Sequence, residues 1–156
     1  MIVAFTGSRP NNFGGFYLPN PIYSHVCREI DRTLRELKPD KIISGMSLGV
    51  DQWAAFVAIK LGIPFVAAIP FEGQELLWNK ESQKTYHSLL KKANEVVIVS
   101  PGKFDNEKFQ IRNQWMIDRC DKLICIWDGQ SKGTKNCFEY AKYVGKEIIF
   151  IDPVVK

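Results

Sequence analysis

Short apolar runs along this chain alternate with stretches in which apolar residues recur every three or four positions. Ile2 to Phe5, Lys41 to Ser44, Phe65 to Ile69, Val96 to Val99, Leu123 to Trp127 and Ile148 to Ile151 form the first set. Short apolar runs of this kind suit strands covered on both faces. Between them, Ile22, Val26, Ile30 and Leu34 repeat at four-residue intervals, which predicts a helix over Ile22 to Leu37. Further helices are predicted over Val50 to Leu61, Ser82 to Ala93, Phe109 to Cys120 and Lys135 to Val144, with Gly62 and Gly145 as stops. Strands that alternate with helices throughout imply right-handed crossovers in one sheet. The fold class is therefore α/β: a mostly parallel six-stranded sheet with helices on both faces, in a single domain over residues 1–156.

In such a sheet the loops after the strands share one edge, where ligands bind. Thr6-Gly7-Ser8-Arg9-Pro10 follows the first strand, with small residues, a hydroxyl and a planar cation suited to phosphate. Ser44-Gly45-Met46-Ser47-Leu48-Gly49-Val50-Asp51 joins the second strand to its helix. Gly45 and Gly49 allow unusual dihedrals and close approach, and Asp51 is placed to cap or line the helix start. Gln74, after the third strand, is a candidate for reading a base or ribose edge, or for capping the next helix. Trp53 stacks on a base or packs in the core, and packing is the safer reading. Phe13, Phe16 and Tyr17 line a pocket or cover the sheet edge. Arg112, near a helix start, opposes the macrodipole and calls for an anion: a ligand phosphate, Asp51 or Asp128. Asp128-Gly129 and Gly133-Thr134 form a last glycine-bearing turn. Four such loops on one edge make a ligand crevice the better reading.

Composition narrows the function classes. A formal net charge of +4 permits a phosphate-bearing ligand, but the lysines are dispersed. Without a basic stripe interleaved with aromatics, nucleic acid is not expected as a partner. Cys27, Cys120, Cys125 and Cys137 have no metal-ligand spacing, and only His25 and His87 accompany them, so neither a metal nor a cofactor is expected. No apolar run is long enough to cross a membrane, and Met1 to Phe5 has no basic n-region or cleavage signature, so the cytoplasm is the expected compartment.

Gly7-Ser8-Arg9 with Ser44-Gly45-x-x-x-Gly49-x-Asp51 resembles the signature of the DNA-processing protein A Rossmann domain. Phe71-x-x-Gln74-x-x-x-Trp78, Arg112-Asn113-x-Trp115-Met116, Cys120-Asp121 and Gly133-Thr134-x-Asn136-x-x-x-Tyr140-Ala141 bring the chain closer to the YpsA-like group of the SLOG superfamily. That superfamily also holds the cytokinin-activating phosphoribohydrolases. The resemblance implies a Rossmann-like sheet that binds nucleotides or nucleotide-derived ligands, in proteins that often pair as homodimers. It implies that Gly7, Ser8 and Arg9 border the nucleotide and that Ser44, Gly45, Gly49 and Asp51 form a second wall. Gln74 and Asn136 join these binding residues, and Gly133 and Thr134 match a phosphate-binding turn. Arg112 matches the hydrolases' catalytic arginine. Where those enzymes carry a glutamate two residues after the threonine, this chain has Asn136. N-glycosidic cleavage needs a carboxylate to steady its cation-like ribosyl centre. Asp128 and Glu139 are the candidates to replace it, which disfavours cleavage of the cytokinin type.

Three functions follow as expectations. The first is binding of a nucleotide or nucleotide-derived small molecule, as a sensor or regulator. The second is an N-glycosidic or phosphoribosyl hydrolase or transferase, with Arg112 holding phosphate and Asp51, Asp128 or Glu139 assisting. The third is a single-stranded DNA binding module.

Overall fold

In a computed structural model of the chain, which describes residues 1–10, 15 and 19–154, β1 (Ile2–Gly7) lies inside a six-stranded sheet. The aromatic trio Phe13, Phe16 and Tyr17 falls outside the described residues. The remaining elements are α1 (Pro21–Leu37), β2 (Lys41–Ser44), α2 (Val50–Leu61), β3 (Phe65–Ile69), α3 (Lys80–Lys91), β4 (Glu95–Ile98), α4 (Glu107–Arg119), β5 (Lys122–Ile126), α5 (Lys132–Tyr143) and β6 (Glu147–Phe150). The sheet order is β4-β3-β2-β1-β5-β6, and every pairing is parallel.

The chain first steps outward from β1 to β4, then returns across the sheet to β5 on the other side of β1. Right-handed crossovers place connections on opposite faces when the direction of travel reverses. The two cores show this arrangement. Val26, Ile30 and Leu34 of α1, Trp53, Ala54 and Ala58 of α2, and Tyr86 and Leu89 of α3 bury one face with Val3, Phe5 and Ile42. Met116 and Ile117 of α4 and Cys137 and Ala141 of α5 bury the other with Ala4, Ile43 and Val66. Alternate residues of one strand thus serve different cores, as the pleat requires. The reversal between β1 and β5 opens a crevice outside their carboxyl ends.

The sequence pattern and the structure differ mainly at element ends. β4, β5 and β6 each begin one residue before their apolar run, at Glu95, Lys122 and Glu147. A charged side chain at the open edge of the sheet reaches water, and Lys122 and Glu147 pair across neighbouring strands at 3.0 Å. α3 starts at Lys80 because the Asn79 side chain accepts from Ser82 N–H. α5 starts at Lys132, three residues earlier than the periodicity indicates, because Ser131 caps it and Gly133 lies within its first turn. α4 starts at Glu107, which puts Arg112 in the second turn rather than at the helix entrance. The macrodipole is therefore not what Arg112 contends with.

Candidate functional site

The loop after β2 is closed by its own side chains. Ser44 Oγ donates to the Asp51 carbonyl at 2.7 Å and accepts from Met46 N–H at 3.2 Å. Met46 takes a left-handed φ of 61°, uncommon for a side chain of its size, and is fully buried. Gln52 donates to the Met46 carbonyl at 3.2 Å. Gly49, at φ 96°, is packed so closely that a Cβ would stand 2.6 Å from the Ser8 carbonyl. This contact joins the loops after β1 and β2 into one wall. On the same wall, a Cβ on Gly7 would meet Val50 at 2.6 Å and the Ile126 carbonyl at 2.7 Å.

Behind that wall lies Arg112, 4% exposed. Its Nη1 donates to the carbonyls of Gly45 at 2.7 Å and Ala68 at 3.2 Å, and its Nε to Asn113 Oδ1 at 3.2 Å. The carboxyl ends of β2 and β3 thus satisfy a guanidinium that burial pushes toward deprotonation, while Asp51 favours its charge. Gln74 is also buried, donating to the Gly45 carbonyl at 3.3 Å and to the Tyr86 hydroxyl at 3.4 Å. It neither caps a helix nor lines the crevice; it supports Gly45 from behind.

The crevice itself is a cavity of about 570 Å³. Gly7, Arg9, Ser47 and Asp51 line one side, and Arg112 and Asn113 the floor. Gly133, Thr134 and Asn136 of α5 line the opposite side together with Lys132. Ser131 Oγ accepts from Thr134 N–H at 3.5 Å, while the first amides of the helix have no acceptor within it. These amides, Lys132 and the exposed Arg9 make this the cationic part of the cavity. Asp51 supplies the opposing charge. Its carboxylate is buried against Arg112 and its pKa rises to about 6, chiefly through desolvation, with Arg112, the Ser47 amide and Arg9 pulling it back.

The cavity therefore gathers Gly7, Arg9, Asp51, Arg112, Gly133, Thr134 and Asn136. Ser8, Ser44, Gly45, Gly49 and Gln74 build the wall behind it. Asp128 stands in the loop after β5, where its Oδ1 accepts from Ser8 Oγ at 3.1 Å and from Gln130 N–H at 2.9 Å. Glu139 is exposed on α5 and faces Lys135 at 3.9 Å, away from the cavity. Asn106, Glu107 and Gln110 line the crevice without having been singled out by the sequence pattern. They come from the start of α4, and only the true position of that helix end identifies them. Trp53 packs edge-on against Tyr23 at 5.1 Å in the core. Burial pushes the Cys125 and Cys137 thiols up to about 12, so neither is a ready nucleophile.

A parallel doubly wound sheet with a polar crevice at its switch point defines a Rossmann-like α/β protein. More narrowly, residues 3–148 match the YpsA model, described as the YspA SLOG family, and the chain belongs to that family. Among its relatives, the SPbeta prophage-derived protein YoqJ of Bacillus subtilis is 31% identical over 72% of this chain and 77% of its own length. A UPF0398 protein of Bacillus cereus is 29% identical over 93% of this chain and 84% of its own. DNA processing protein A from Streptococcus pneumoniae shares the fold with a TM-score of 0.69 at 22% identity, over 95% of this chain. Its counterpart from Helicobacter pylori, described by a single-stranded DNA binding mode, gives 0.68 at 22% identity over 96%. This chain spans 49% and 64% of those two chains. The molybdenum cofactor carrier protein of Chlamydomonas reinhardtii gives 0.60 at 12% identity, covering 96% of this chain and 74% of that protein.

These likenesses overturn the expectation that nucleic acid is not a partner. A protein built on the same architecture is described as binding single-stranded DNA. The physical reason is local: a dispersed net charge does not exclude strand binding when Arg9, Lys132 and helix-start amides converge on one crevice. No described helix is long and apolar enough to cross a membrane.

Proposed function

We propose that the crevice binds a phosphate-bearing nucleotide unit, with its phosphate at Arg9 and the first turn of α5. The observation that carries this reading is the convergence of Arg9, Lys132, Gly133 and Thr134 on one cavity at the switch point. Between a free nucleotide, sensed or regulatory, and a nucleotide within a strand, the likeness to the DNA-binding Helicobacter pylori protein favours the strand. A cytoplasmic location and a homo-oligomeric state belong to the same proposal.

N-glycosidic or phosphoribosyl hydrolysis, suggested by the resemblance to the phosphoribohydrolases, has less support. Of its three carboxylate candidates, Asp51 alone lines the cavity. Asp128 is engaged by Ser8 and Glu139 faces away.

The test is a titration of labelled single-stranded oligonucleotide and of AMP into the wild type and into Arg9→Ala and Lys132→Ala. Each substitution is expected to weaken binding by about threefold to tenfold, and the loss of one phosphate contact to lower the salt slope for the strand by about 1. Binding of neither probe at low salt, or no effect of either substitution, overturns the reading.

A further inference from the structure

Asp51 carries a carboxylate oxygen that the protein leaves open. Oδ2 accepts from Ser47 N–H at 3.3 Å, and among the described residues nothing donates to Oδ1. Yet the residue is only 9% exposed. No side-chain oxygen or nitrogen fully sealed from solvent lacks a partner among the described residues, so Oδ1 opens into the cavity that Asp51 lines. Arg112 does not close it off, because its bonds go to Gly45, Ala68 and Asn113. The carboxylate is held through its other oxygen, Oδ2, by the Ser47 amide, and the turn beneath it is tied by Ser44 to the Asp51 backbone.

We infer that Asp51 Oδ1 reads a hydrogen-bond donor on the ligand: a sugar hydroxyl or a base amine of the nucleotide whose phosphate lies at Arg9 and α5. This rests on the nucleotide reading above. An ionised carboxylate accepts and never donates, so it repels phosphate and rewards hydroxyl or amino groups. The cavity then offers two chemically distinct kinds of contact, an acceptor on the wall that Asp51 shares with Arg9 and the amides and Lys132 of the first turn of α5 across from it, which orient a ligand rather than merely retain it. A bond from a neutral donor to a charged acceptor is worth enough to discriminate about tenfold or more against an analogue lacking that donor.

Charge near neutrality supports the same geometry. The groups facing the carboxylate are Arg112 from α4, Arg9 from the loop after β1, and the Ser47 amide from its own loop. Glu107 and Lys132 line the rest of the cavity. The Cys137 thiol packs behind, with its pKa near 12, and stays neutral. Acidification toward pH 5 protonates Asp51, so discrimination based on it weakens. The ligand's phosphate titrates in the same range in every variant, so the difference between wild type and Asp51→Asn isolates the carboxylate.

Calorimetric titration near neutral pH tests this with AMP, 2′-deoxyAMP, 3′-deoxyAMP, purine riboside monophosphate and inorganic phosphate, and with short single strands of adenosine, 2′-deoxyadenosine and purine riboside nucleotides. The wild type is expected to prefer the parent nucleotide about tenfold over one single-donor deletion. A deoxy analogue as the loser identifies a sugar hydroxyl; purine riboside monophosphate identifies the base amine. Asp51→Asn shrinks that gap to within about threefold while phosphate binds at least as well. The deletion series in the wild type needs no variant, and thermal unfolding checks that Asp51→Asn folds. Equal binding of all analogues by the wild type, or an unchanged gap in Asp51→Asn, overturns the inference and leaves the phosphate site standing. No binding of any probe to the wild type removes both.

Discussion

Arg112 and Gln74 donate to the same oxygen, the carbonyl of Gly45, from 2.7 and 3.3 Å. One residue comes from α4 and the other from the loop after β3, so a single carbonyl at the end of β2 fixes two elements. A guanidinium offers several donors in a rigid fork, and here the fork spans Gly45, Ala68 and Asn113. An ammonium cannot reproduce that span. Arg112→Lys is expected to lower unfolding free energy by about 1–3 kcal/mol. Arg112→Ala is expected to cost about 3–5 kcal/mol, because Asp51 is left buried without its counter-charge. Urea denaturation of the two variants beside the wild type checks both the order and the size.

Asp51 makes stability depend on pH in an unusual direction. Its folded pKa, about 6, lies above the 3.8 of an exposed aspartate. Between those values the folded chain binds the proton more tightly than the unfolded chain. This group's contribution therefore falls as pH rises from about 4 to 6 and is level above that. The ionised carboxylate costs roughly 3 kcal/mol at neutral pH, from about 1.4 kcal/mol per pKa unit. Asp51→Asn is expected to recover much of that at pH 7 and almost none at pH 4. Urea unfolding at both pH values checks it; equal stabilisation at the two would show that Asp51 is not perturbed by burial.

The fold was legible because buried parallel strands and amphipathic helices carry opposite signatures. Ile42-Ile43 and the stripe from Ile22 to Leu34 leave little choice. The crevice was legible in part, since Gly7, Arg9, Asp51 and Gly133-Thr134 stand where a parallel sheet gathers its loops. Which of the three carboxylate candidates, Asp51, Asp128 and Glu139, faces the cavity was not. Glu139 is close to Asn136 in sequence, but helical pitch turns it outward to Lys135. Gln74 reads locally as an exposed loop amide, and only the packing of α3 shows that Tyr86 and Gly45 enclose it. Such facts depend on contacts distant in the chain, which periodicity does not encode.

The placement of the carboxylates separates two substitutions that look equivalent in sequence. Glu139→Gln removes an exposed charge outside the crevice, and its weak pairing with Lys135 contributes little. Ligand affinity and unfolding free energy are expected to stay within about twofold and about 0.5 kcal/mol of the wild type. Asp128→Ala removes the acceptor for Ser8 Oγ and for Gln130 N–H. It is expected to cost about 1–2 kcal/mol and to loosen the loop that carries Arg9. Calorimetric titration and urea unfolding on both variants measure the contrast.

Three glycines around the crevice make a graded test of why small residues stand there. A Cβ at Gly45 would lie 2.7 Å from Arg112 Nη1 and 3.0 Å from Asp51 Oδ2, so the two charged groups must part to admit it. At Gly49 the obstruction is backbone, the Ser8 carbonyl at 2.6 Å, and the φ of 96° adds strain. At Gly133 nothing lies within 4 Å, and the residue sits in the first turn of a helix. Alanine should therefore destabilise most at Gly49, by about 2–4 kcal/mol, and less at Gly45. At Gly133 it should be neutral or stabilising by up to about 1 kcal/mol. Ligand binding is expected to break this order. Gly133→Ala adds a methyl to the cavity wall beside the amides assigned to the phosphate, so it should weaken nucleotide binding about tenfold with the fold intact. Melting temperature and affinity measured on the same three variants show whether Gly133 is small for the chain's sake or for the ligand's. Unchanged affinity in Gly133→Ala would remove the first turn of α5 from the phosphate site.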